Sequence, residues 1–107
     1  MTTGTTRHHA RADFAEQVGS TFSITVDGGA VVAAELLAVT DGTVSPDTEQ
    51  FALHFRLPAD VAPVQRMYEV THDVLGPVPL FLVPIGRDAA GLYLEAAFNR
   101  RSAPQEG

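Results

Sequence analysis

The chain contains no cysteine, no lysine and no tryptophan, and it has no run approaching the roughly 18 consecutive apolar residues that a membrane-spanning helix requires. The absence of cysteine excludes disulfides, thiolate metal ligands and thiol nucleophiles, so stability has to come from packing and hydrogen bonding. The absence of lysine excludes Schiff-base and amine-nucleophile chemistry by a lysine side chain. Positive charge is scarce as well: 7 basic residues, all arginine, face 13 acidic ones, for a formal net charge of −6. Only Arg100 and Arg101 adjoin. A phosphate backbone or an anionic bilayer needs a cluster of cations, so neither nucleic acid nor membrane is an expected partner. The first ten residues carry His8 and His9 among threonines but no apolar secretory core, and the expected location is the cytoplasm. His8 and His9 read as solvated tail residues rather than metal ligands.

What the chain does have is 107 residues of which 45% are hydrophobic, enough for one folded domain and too few for two. Composition and pattern divide it into a flexible tail over 1–12, a single β domain over 13–100 and a second tail over 101–107. At the start of the domain Asp13 precedes Glu16 by three residues, the spacing of an N-cap and its reciprocal carboxylate, and Gly19 follows where a helix must stop. This predicts one short helix in which Phe14 and Val18, four apart, share the face that plugs the core.

Beyond Gly19 the apolar period becomes two, which is the mark of half-buried strands. Phe22, Ile24 and Val26 alternate with polar residues, and Asp27, Gly28 and Gly29 supply a tight hairpin turn. Ala30 to Val39 is apolar on both faces apart from Glu35. After a loop through Pro46 and Asp47, Phe51, Leu53, Phe55 and Leu57 alternate cleanly with Ala52, His54 and Arg56. Pro58 and Pro63 end that strand because neither offers an amide hydrogen to a ladder. Tyr68 and Val70 mark a fourth strand, and Asp73 to Pro79 reads as a turn. Leu80 to Ile85 is wholly apolar and predicts a strand covered by another layer, with an edge or bulge at Pro84. Leu92 to Phe98 pairs with it across Gly86 to Gly91. The expected class is all-β: a compact antiparallel sandwich or small barrel of about six strands with one short N-terminal helix.

No catalytic, cofactor-binding or metal-binding residue is assigned. His54 and His72 are the only histidines of the β domain, and with Glu69 or Glu95 they are the best metal set available. The alternation sends His54 outward and His72 inward, so the two are expected to face opposite ways. Ser20, Ser23, Ser45 and Ser102 lack a nucleophile elbow, and the glycines lack phosphate-loop spacing. Glu35, Glu69 and Glu95 sit among apolar neighbours, where burial would raise a pKa, but the simpler expectation is a carboxylate facing solvent or an arginine. The aromatics Phe22, Phe51, Phe55, Tyr68, Phe81, Tyr93 and Phe98 are expected to form the core rather than line a ligand cavity.

Phe51, Leu53 and Phe55, then Tyr68 to His72, Leu75 and Gly76, then Leu80–Gly86 (LFLVPIG) and Tyr93–Arg100 (YLEAAFNR) resemble a small bacterial all-β family of unknown function, over roughly Phe14 to Arg100. The resemblance implies gene neighbours similar to phage tail collar proteins, and hence a structural or accessory role in such an assembly. It implies no catalytic residue and no cofactor. The functional expectation is therefore a non-enzymatic structural or protein-interaction module, docking through exposed strand edges, with a protein partner and with self-association compatible with such edges. The alternative is a small-ligand-binding β-barrel.

Overall fold

In the computed structural model, which describes residues 11–42 and 48–101, seven antiparallel strands follow one short helix. Helix α1 spans Arg11–Ala15 and the strands are β1 (Thr21–Thr25), β2 (Val31–Asp41), β3 (Thr48–Leu57), β4 (Arg66–His72), β5 (Gly76–Pro77), β6 (Leu80–Asp88) and β7 (Gly91–Arg101). Their order is β1-β2-β3-β7-β6-β4-β5, and a further pairing of β1 with β4 closes six of them into a barrel. Of the two architectures that alternation allows, the barrel is the one formed. The tail over 1–10, with His8 and His9, the loop through Pro46 and Asp47, and residues 102–107 lie outside the described residues.

The core follows from which side chains share the inward phase. Phe22 and Ile24 of β1, Ala34 and Leu36 of β2, Phe51, Leu53, Phe55 and Leu57 of β3, and Leu92, Leu94 and Ala96 of β7 are buried together. β3 and β7 contribute their residues as facing pairs, Leu53 with Ala96, Phe55 with Leu94 and Leu57 with Leu92. Phe22 and Phe55 meet edge-on at 5.2 Å between ring centroids, the arrangement that aromatic quadrupoles favour.

Three departures from strict alternation shape the barrel. Between Leu36 and Ala38 the β2–β3 register slips by one residue, a bulge at Leu37. It flips the phase of β2, so that Ala34 and Leu36 point inward before it and Val39, opposite Leu53, packs on the core after it. The apolar character of both faces of this segment is therefore one inward face that changes parity midway. A second bulge lies between Pro84 and Gly86, as the proline in that strand suggests. Third, Asp73 to Pro79 is not one long turn. Only residues 73–75 form it, because Gly76 and Pro77 already pair with His72 and Thr71 in the same register that pairs Leu80 with Tyr68 farther along. Pro77 and Pro79 interrupt the strand without ending its course, and Val78, between them, donates its amide to the Val70 carbonyl at 2.7 Å.

β6 also corrects an expectation. Nothing covers its outer face among the described residues: Phe81 and Ile85 are 47% and 51% exposed. Its apolar outward residues thus remain on the surface of a single closed layer. The strand continues past Gly86 to Asp88, so the β6–β7 connection is shorter than Gly86 to Gly91. It is held by Asp88, whose carboxylate accepts the amides of Ala90 and Gly91 at 2.8 and 3.2 Å.

The barrel ends are closed by different devices. At the end where β3 begins and β7 finishes, Phe14 of α1 is buried against the rings of Phe51 and Phe98, with centroids 6.2 and 5.8 Å away. Asp13 lies inside this helix rather than capping it. Val18 does not share the Phe14 face, because the chain leaves the helix after Ala15 and leaves Val18 45% exposed. At the other end the segment between β3 and β4 crosses the opening and lowers Val61 onto the core.

Gly91 shows how tightly the strands approach. A Cβ there would collide with the Leu57 carbonyl oxygen and come within 2.7 Å of Arg56 Cγ, whereas one on Gly86 would meet open space. Gly91→Ala is expected to destabilise the fold by about 1–3 kcal/mol, and Gly86→Ala to change it by less than about 0.5 kcal/mol, measured by urea unfolding of the two variants in parallel.

Candidate functional site

Three constellations of polar or exposed side chains stand out. The first is the barrel mouth at the Val61 end. Gly28 and Gly29, both at φ 85°, let the chain turn tightly between β1 and β2, as the Asp-Gly-Gly sequence requires. That hairpin faces the segment bearing Asp60, Val61 and Ala62 across a depression of about 300 Å³, with Tyr68 at its base. Asp27 forms an ion pair with Arg66, and the Arg66 guanidinium lies 5.0 Å from the centroid of the Tyr68 ring. The Tyr68 hydroxyl donates to the Val64 carbonyl oxygen. Burial pushes the Tyr68 phenol above its ordinary pKa; the Arg66 charge opposes that shift and the Asp27 charge adds to it.

The second surrounds His72, the one residue among the described residues that is both buried and polar or charged. The backbone amides of Val74 and Leu75 both point at Nδ1, at 3.0 and 3.3 Å, so this nitrogen carries the lone pair. The ring proton then resides on Nε2, which donates to Ser20 Oγ at 2.9 Å, and the Ser20 hydroxyl donates to the Gln17 carbonyl at 2.6 Å. A catalytic serine–histidine pair runs the other way, with serine giving its proton to the ring. The arrangement is a structural clamp tying the β4 turn to the segment after α1, packed against Phe22 at 4.3 Å between ring centroids. Sequence reading placed His72 inward but did not join it to Ser20, 52 residues away, and no local signal could have done so.

The third is a polar ladder on the outer face of β2, β3 and β7. His54 Nε2 lies 3.0 Å from Thr40 Oγ1 and 3.7 Å from Glu95 Oε2, and Arg56 is ion-paired with Glu35. Tyr93 is on this outer face rather than in the core, and its hydroxyl donates to the Asp88 carboxylate at 3.0 Å. The Ala90 amide, chief among the groups around Asp88, holds that carboxyl below its ordinary pKa, while the bond to Asp88 raises that of Tyr93. The best metal set is therefore not assembled. His54 and Glu95 lie outside the barrel, His72 inside, and Glu69 is exposed on β4. Among the described residues no group of three or more His, Asp or Glu side chains is placed to hold a metal.

Beside these polar groups lies an apolar one. Met67 of β4 and Phe81 of β6 are directly opposed in register and project outward, Met67 59% and Phe81 47% exposed. Met67 also borders a second depression, which shares Val26, Asp27 and Tyr68 with the mouth and includes Arg66 and Glu69.

Residues 9–98 match the family model described as "Domain of unknown function (DUF6916)". No curated protein and no solved structure matches the chain. Among the described residues no helix is long and apolar enough to cross a membrane.

Two outcomes follow from these groups. Tyr68 has a folded-state pKa above its unfolded value, so its contribution to stability is complete below about pH 10 and is lost as the pH rises through the higher folded value. Ultraviolet titration should place its ionisation above that of a free tyrosine, and Tyr68→Phe should remove this step and flatten the alkaline loss of stability. His72→Ala strands two backbone amides and leaves a void beside Phe22, and should lower unfolding free energy by about 2–4 kcal/mol in denaturant titrations.

Proposed function

The chain belongs to the DUF6916 family, a family of unknown function, and from that premise we propose that it is a non-enzymatic protein-interaction module. The observation that carries this reading is the outward pair Met67 and Phe81. Two large apolar side chains side by side in solvent contribute nothing to the core, and covering them by a partner recovers the hydrophobic free energy that folding left unclaimed. Ile85, also exposed on β6, extends the apolar character along the same strand.

The polar groups support the same reading. The Ser20–His72 pair has the wrong hydrogen-bond direction for a nucleophile, and His54 and Glu95 serve a surface ladder. The barrel interior is filled by Phe55, Leu36, Leu53, Leu82 and Leu94, each 0% exposed, so a ligand has to be met outside it. Closure of the sheet changes where a partner docks. β1 spends one side on β2 and the other on β4, so this strand is not a free edge, and the reading rests on side-chain contact at Met67 and Phe81. The tail-collar-like neighbours implied by the resemblance give the class of assembly in which such a module would serve as an accessory.

The test is a paired capture from the native host with the wild-type chain and a Met67→Glu/Phe81→Glu variant. A partner retained by the wild type and lost by the variant, at an unchanged melting temperature, is the expected result. Equal capture by both proteins overturns the assignment of this surface.

A further inference from the structure

The barrel mouth has a chemistry of its own, separate from the Met67–Phe81 surface. Its walls are the apolar side chains of Val26, Ala30, Val32 and Val61, and its volume of about 300 Å³ is at the lower end of what small-molecule sites occupy. Two carboxylates stand at it, Asp27 and Asp60. They are not equivalent. Asp27 is neutralised by Arg66, and the Arg66 guanidinium is further engaged with the ring of Tyr68. The ion pairs among the described residues use Asp41, Glu95, Glu35 and Asp27 and leave Asp60 without a cation. The mouth is thus an apolar hollow with one uncompensated negative charge at its rim, in a chain whose net charge is −6.

We propose that this mouth binds a small organic cation: a primary ammonium on a compact apolar stem. The stem displaces water from Val32 and Val61, and the ammonium takes Asp60 as its counter-ion. A neutral molecule of the same shape obtains only the apolar contact. An anion of the same shape meets Asp60 unfavourably and finds Arg66, the cation beside Asp27, already paired. The order of affinity is therefore cation, neutral, anion, and it follows from charge alone once the stem is held constant. Neither Met67 nor Phe81 lines the mouth, although Met67 borders the adjoining depression that shares Val26, Asp27 and Tyr68 with it.

Three probes with one stem test this: 2-phenylethylamine, 2-phenylethanol and phenylacetate, titrated into the full chain at matched ionic strength near neutral pH and followed by amide NMR shifts. The amine should give saturable shifts at Val26, Val32 and Val61, the alcohol weaker ones at the same positions, and phenylacetate none. Asp60→Asn should weaken the amine about fivefold and leave the alcohol unchanged. Ala30→Phe, which places a ring in the hollow from an exposed position, should abolish both. A Met67→Ser/Phe81→Ser variant, which removes the apolar pair without adding charge beside the mouth, should lose the partner and bind the amine as the wild type does, so that loss of partner capture and loss of amine binding report on different surfaces. Equal affinity for amine and alcohol, indifference to Asp60→Asn, shifts centred outside the mouth, or no saturable shift up to the order of 10 mM amine would each overturn the proposal.

Discussion

The short pairing of β1 with β4, through Ser23 with Thr71, Ile24 with Val70 and Thr25 with Glu69, is the constraint on which the rest of the molecule depends. Without it the sheet is an open ribbon with two unpaired edges and an apolar face exposed to water. With it, Ile24 and Val70 become neighbours inside a closed wall, and Tyr68 and His72 on the same strand are drawn to opposite ends of the interior. Tyr68 reaches the mouth beside Asp27, and His72 reaches the α1 end beside Ser20. Both polar constellations on the barrel axis are therefore set by where β4 sits against β1.

Much of the fold was legible because one side chain in two carried the signal. In β3 the inward series Phe51 to Leu57 is buried throughout, and Pro58 ends the strand as its missing amide hydrogen requires. The same logic failed wherever the period was broken by backbone geometry. Leu37 is indistinguishable from its apolar neighbours in sequence, yet it alone is the bulge that exchanges the two faces of β2. Leu80 to Ile85 looked like a doubly covered strand because apolar residues on both faces usually mean two packed layers. Here they mean one packed face and one that remains on the outside.

The candidate sites divide in the same way. Facing is a local property, and the opposite orientations of His54 and His72 could be read from alternation alone. Meeting is not local. The Ser20–His72 bond and the Asp27–Arg66 pair join residues 52 and 39 positions apart, and only closure of the barrel decides that they touch. Glu35 illustrates the intermediate case: a carboxylate facing either solvent or an arginine was the simpler expectation, and the pairing with Arg56 rests on the β2–β3 register. The exposure of Phe81 was hidden for a related reason, since Leu80 to Ile85 is apolar on both faces, whereas Met67 alternates with Tyr68 and Val70 and falls in their outward phase.

The contact of Phe14 with Phe98 gathers the first helix and the closing strand at one pole, with the mouth at the antipode. Helix α1 and the far end of β7 therefore share one hemisphere, and the rim of the mouth is left clear of both.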